Sequence, residues 1–142
     1  MSYEIAEQQE QVQVSPALQI EKNLIAMFCA NKSHMTTCMG VGLRPHHFCG
    51  IFTKKIFEAC IKLDEQVSSF DMLVLADEVT RMAKRDHSEQ VREVILNGNM
   101  LKADLLPVHA KTIIARAAKE QMVSAIKTLM EDALSPAFSV ND

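Results

Sequence analysis

From Phe48 to Leu63 the apolar residues recur with the period of an α-helix. At about 100° per residue, Phe48, Phe52, Ile56, Ala59, Cys60 and Leu63 fall within roughly 120° of arc, and Lys54, Lys55, Glu58 and Lys62 collect on the opposite side. Phe57 and Ile61 flank the main stripe and widen the apolar arc to more than half the circumference. A stripe that wide belongs to a helix with neighbours on two sides, so this segment is expected to be the central helix of a bundle. The lysine pair then faces water. Composition agrees, because four glycines and four prolines supply little turn material for a sheet. Nine methionines and four cysteines against one tyrosine and no tryptophan predict a soft, adaptable core.

The rest of the chain follows the same period. Residues 1–14, rich in Gln and Glu, read as a flexible arm. Ser15 and Pro16 are a cap and a preorganised first position for a helix to about Ala30, with Ala17, Ile20, Leu24, Met27 and Phe28 on its inner face. A short helix follows at most, broken by Gly40 and Gly42. After the central segment, Asp71 can cap a helix and Phe70 can pack on Leu75, with Met72, Leu75, Ala76, Val79 and Met82 turned inward. Ser88 can cap a further short helix carrying Val91, Val94 and Ile95, ended by Asn97-Gly98-Asn99. Pro107 can open a long helix to about Leu134, stopped by Pro136. At ~1.5 Å per residue that helix is about 40 Å long, more than a small head needs. Its stripe of Ala110, Ile113, Ile114, Ala117, Ala125, Ile126, Leu129 and Ala133 is rich in small residues that allow close helix approach, so its far end is expected to pack on a second molecule. The expected fold is all-α: a compact helical head over about 15–103, a long helix over about 107–134, and a tail over 135–142.

Length and charge narrow the function. A chain of 142 residues with 48% apolar content is the size of one domain with a continuous core. A net charge of -3 lacks the excess that phosphate binding requires, so any DNA contact is expected to be indirect or weak. With no membrane-spanning run and no signal peptide at the start, a cytoplasmic location is expected, with Cys29, Cys38, Cys49 and Cys60 expected to remain reduced thiols.

The reactive-looking residues gather between His34 and Cys60. His34, Cys38, His46, His47 and Cys49 can in principle supply zinc ligands, but only His34–Cys38 and the His46-His47–Cys49 group approach the spacing of a structural zinc site. No metal and no cofactor is expected. Cys29 and Cys60 lie on apolar faces, where cysteine acts as a small hydrophobe. No Cys–His or Ser–His pair has an identifiable third member, and Asp77-Glu78 and Glu131-Asp132 diverge around their helices. "GVGLRPHH" lacks the lysine and hydroxyl of a phosphate loop, and the third glycine of a dinucleotide fingerprint is missing. Arg81, Lys84, Arg85 and Arg92 are interleaved with Glu78, Asp86, Glu89 and Glu93, which reads as a salt-laced solvated surface. No enzymatic centre emerges.

The order of motifs is more specific. "SPALQIEKNLIA", "LRPHHF", "IFEACIKL" and "FDMLVLADEV", followed by a short helix and a long alanine-rich one, resembles the N-terminal domain of DnaB-type replicative DNA helicases over roughly residues 15–130. The matching positions are Pro16, with Glu21 slightly shifted, then Leu43, Pro45 and Phe48, then Ile56, Phe57, Ala59 and Leu63, then Asp71. The resemblance implies a helical head and hairpin that dimerises, forms the collar of a hexameric helicase and docks primase or a helicase loader. The chain ends after the first long helix, so the return helix, the linker and the ATP-hydrolysing motor are absent from it. This is expected of an excised domain or of a freestanding homologue, such as a phage or mobile-element regulator that binds a host replicative helicase or primase. On this reading the protein is a non-catalytic interaction module that self-associates as a dimer or higher oligomer, with Phe57, Ile61, Ile113, Ala117, Ile126 and Leu129 as contact residues.

Overall fold

The computed structural model describes residues 16–67, 69–98 and 101–134. Among the described residues there are six α-helices: α1 Pro16–Ala30, α2 Lys32–Val41, α3 Ile51–Gln66, α4 Met72–Ala83, α5 Ser88–Asn97 and α6 Leu106–Leu134. Single 3-10 turns at Pro45–His47 and Ala103–Leu105 precede α3 and α6. There is no strand among the described residues. The expected cap at Ser15, the stop at Pro136, the N-terminal arm and the C-terminal tail lie outside the described residues.

The centre of the head is α1, not α3. α1 packs against α2, α3, α5 and α6, whereas α3 packs on α1, α4 and the 3-10 turn before it. The cause is in its sequence. From Asn23 to Phe28 every residue of α1 is buried, so this stretch has no wet face at all. The inward stripe of α3 is real but narrower than expected, because the helix begins at Ile51. Phe48 belongs to the preceding turn and reaches the core from there, and Phe52 is half-buried against the His87 ring at 5.4 Å between centroids. Phe57 joins the two sides of the core, its ring 5.3 Å from Phe28 and 5.0 Å from Phe48. Tilted pairs at such distances add about 0.5–1.5 kcal/mol each beyond area burial.

Helix ends are set by local chemistry. Asn31 caps α2 through its side chain, which accepts from the Ser33 amide, and Gly42 ends that helix at φ 114, where a side chain would be strained. Gly40 lies inside α2 and does not break it. Asp71 caps α4 by accepting from the Val74 amide at 2.9 Å, as its sequence position predicts. The inward set of α4 is Leu75, Ala76 and Val79, with Met72 half-buried and Met82 exposed. α5 is capped at His87, not at Ser88, and without a side-chain hydrogen bond; Asp86 instead accepts from the Ser88 amide. α6 starts one residue before Pro107, which occupies an early position where its missing N–H costs nothing.

Candidate interaction surface

Twenty-nine residues make α6, and only its first part meets the head. Leu106, Ala110, Ile113 and Ala117 are buried there, packed on α1 and α2. Arg116 and Glu120, paired at 2.8 Å, line a crevice with His46 and His47 where the 3-10 turn meets the helix. From residue 118 to residue 134 every position is exposed. The exposed stretch nevertheless keeps the apolar period of the buried one. Met122, Ile126 at 51% exposure, Leu129 at 68% and Ala133 recur in steps of four, three and four, with Val123 and Met130 beside them. A helix that leaves its own head with an apolar ladder facing water is an unpartnered packing surface.

The six expected contact residues separate into groups. Ile126 and Leu129 stand in the open ladder. Phe57 and Ile113 are 0% exposed and belong to the head core, so neither can meet another molecule while the head is folded. Ala117 is buried at the root of α6, and Ile61 is half-buried against the core. The correction has a simple origin. Helical angle locates the apolar side of a helix but not what covers it, and in Phe57 and Ile113 the cover is α1 and its neighbours. Met122, Val123 and Met130 escape an alanine-based reading of the stripe, although their spacing marks them.

Two carboxylates that were not singled out as sites hold the head together. Glu21, 0% exposed, accepts from the amides of Cys49 at 2.7 Å and Gly50 at 3.1 Å and from the Thr53 hydroxyl at 2.7 Å. It thereby caps α3 from α1, satisfying amides that the N-terminus of a helix leaves open. Glu78 on α4 pairs with Lys62 of α3 at 3.3 Å and with Arg81 at 2.6 Å, and the Arg81 and Lys62 charges hold its carboxyl below the usual range.

Of the four cysteines, Cys38 and Cys60 are buried, Cys29 is half-buried and Cys49 is exposed. Burial pushes the Cys38 thiol up to about 11, and burial also raises Cys60, Cys29 and Cys49, the last helped by the neighbouring Glu21. A raised thiol is a poor nucleophile. His47 accepts from the Arg44 amide at Nδ1, 2.9 Å away, and its ring lies 4.1 Å from that of His46. Burial, with His46 and Arg44 beside it, lowers the His47 pKa. No three His, Cys, Asp or Glu side chains come together as a metal site among the described residues. No helix among them is long and apolar enough to cross a membrane.

Against known families, the model described as the DnaB-like helicase N terminal domain matches residues 14–115. No curated protein and no solved structure matches the chain. The matched segment stops at Ala115, just short of Ala117, the last buried residue of α6. It contains α1 to α5 and most of the packed root of α6, including Leu106, Ala110 and Ile113, and leaves the open ladder beyond it.

Proposed function

The chain belongs to the family of DnaB-like helicase N-terminal domains, and we propose on that premise that it is a non-catalytic oligomerisation and docking module of the DNA replication machinery. The observation that carries this reading is the open ladder of α6. Met122, Ile126 and Leu129 lie more than half exposed in a coiled-coil rhythm on a helix whose root is anchored in a folded head. Covering that ladder with the same ladder of a second chain removes both from water. The surface is self-complementary, as a two-fold dimer requires.

In this role the head is the collar element and α6 is the arm by which copies join. Primase or a helicase loader is the proposed partner of the assembled collar, and DNA is met through those partners. A net charge of -3 and the absence of tryptophan support that division of labour.

Sedimentation velocity tests the self-association. The chain is expected to run as a dimer or larger species at tens of micromolar, and a clean monomer there would refute it. Affinity capture tests the setting. A collar domain enters the hexamer of its own replicative helicase, whereas a regulator captures a foreign helicase or primase; recovery of neither removes the replication assignment.

A further inference from the structure

The positive residues of α3 and α4, intermixed with acids along the sequence, are sorted in space. Glu78 is engaged by Lys62 and Arg81, and these three close one end of the groove between the two antiparallel helices. Asp86 is engaged by the Ser88 amide, and Asp77, Glu89 and Arg92 line a separate cavity on the α5 side of α4. Toward the other end of the groove stand Lys54 and Lys55 from the start of α3 and Lys84 and Arg85 from the end of α4, all exposed and with no ion pair among the described residues, four positive charges against the one carboxylate, Glu58, that lines the cavity beside Lys55. Between the two ends lies a cavity of about 320 Å³ lined by Val79, Met82 and Ala83, with Lys55 and Glu58 on its rim. Lys84 takes a left-handed backbone, φ 55 and ψ 32, a conformation that a lysine adopts only at some cost.

We propose that this α3–α4 groove docks an acidic amphipathic helix of a partner protein, one apolar side chain entering the cavity over Val79 and Met82 and flanking carboxylates meeting Lys54, Lys55, Lys84 and Arg85. The apolar floor favours a peptide over a phosphate backbone, since the groove offers no aromatic platform for bases. The sign of the charge is opposite to that of the chain as a whole, which is -3, so this face selects for an acidic partner. The inference rests on the reading of the domain as a docking module and gives the chemistry of the segment it receives. The surface is distinct from the α6 ladder, which leaves both free to be occupied at once.

The test is an amide-shift titration of the isotopically labelled full chain with three probes. These are a short synthetic helix with leucine on one face and glutamate on its flanks, the same helix with lysine in place of glutamate, and single-stranded oligothymidylate. The acidic helix is expected to give saturable shifts centred on Lys55, Val79, Met82 and Lys84, weakening as salt rises. K84E/R85E should weaken it at least about tenfold with an unchanged melting curve, a loss of about 1.4 kcal/mol. M82D should do likewise. Absence of saturable shifts at millimolar peptide, equal binding of both peptides, or saturation of the same residues by oligothymidylate overturns the proposal. Sedimentation of K84E/R85E keeps the two readings apart. It should match wild type, and a monomeric chain that still binds the peptide would end the α6 assignment while leaving this one standing.

Discussion

A carboxylate removed from water is costly unless its oxygens are taken up, and Glu21 has three donors for two oxygens. Replacing it with alanine leaves the Cys49 and Gly50 amides without that acceptor, while the Thr53 hydroxyl keeps only the Gly50 carbonyl oxygen at 3.1 Å. E21A is therefore expected to lose at least about 2 kcal/mol in urea denaturation, with E21Q intermediate because one of its ends is a donor. A loss under about 0.5 kcal/mol would mean that water or the backbone replaces the latch. Gly50 completes the cradle. A Cβ there would collide with the Thr53 hydroxyl and sit 2.7 Å from Leu18 Cδ1, so G50A should also destabilise. Glu78 makes a pH prediction. Its carboxyl is held below the ordinary range by Arg81 and Lys62, so its stabilising effect is present above the unfolded carboxylate value of about 4.3 and is lost as pH falls through the lower folded value. E78Q should be less stable than wild type by about 1 kcal/mol at neutral pH, and the two stability curves should converge in acid. A gap that persists unchanged at pH of about 2 would point to packing instead.

The two glycines at helix α2 and at the end of α5 separate tight contact from open surface. Gly98 lets α5 close on α1: a Cβ there would lie 2.8 Å from Ala26 Cβ and 3.0 Å from the Lys22 carbonyl oxygen. G98A is expected to cost about 1–3 kcal/mol by forcing those helices apart. Gly40, inside α2 with nothing near its missing Cβ, predicts the opposite, since G40A should stabilise by about 0.5–1 kcal/mol through helix propensity alone. Thermal melts of the pair check both signs. Helices were legible in the sequence because caps, prolines and apolar period are local. Pro16, Ala30, Asp71, Asn97 and Leu134 fall at or next to observed ends. The packing order was less legible. The stripe of α3 announces itself by contrast with its lysines, whereas α1 is buried from Asn23 to Phe28 and shows little contrast there, so periodicity points to α3 as the centre although α1 occupies it. Glu21 stood out only through the family resemblance, because a carboxylate that caps another helix has no signature within its own. The candidate site was half visible for a related reason. Ile113 and Ile126 obey one period along α6, and only the three-dimensional edge of the head separates the covered residue from the open one.

At the scale of the molecule, the head and the arm differ in what keeps them folded. All buried residues of α6 lie at or before Ala117, so residues 118–134 contribute nothing to the head core and the head has no need of them. Beyond Ser124, which still borders the crevice beside His46 and His47, the arm packs on no other element among the described residues. An isolated helix of that length is marginal in water, since propagation barely repays the cost of nucleation, although continuity with the anchored root spares it that nucleus. Its order therefore depends on what covers Met122, Ile126 and Leu129. If a second copy is the cover, association and arm folding are one equilibrium, and mass action makes both depend on protein concentration. Hydrogen exchange reads this directly. Amides of residues 118–134 should be weakly protected at low micromolar chain and strongly protected at high micromolar, while those of α1 stay protected at both. I126E/L129E should abolish the concentration dependence, leave the arm weakly protected throughout, and leave the melting of the head unchanged, because neither residue touches it. Loss of head stability in that variant would show that the arm folds back onto its own domain, and equal arm protection at all concentrations would show that it stands without a partner.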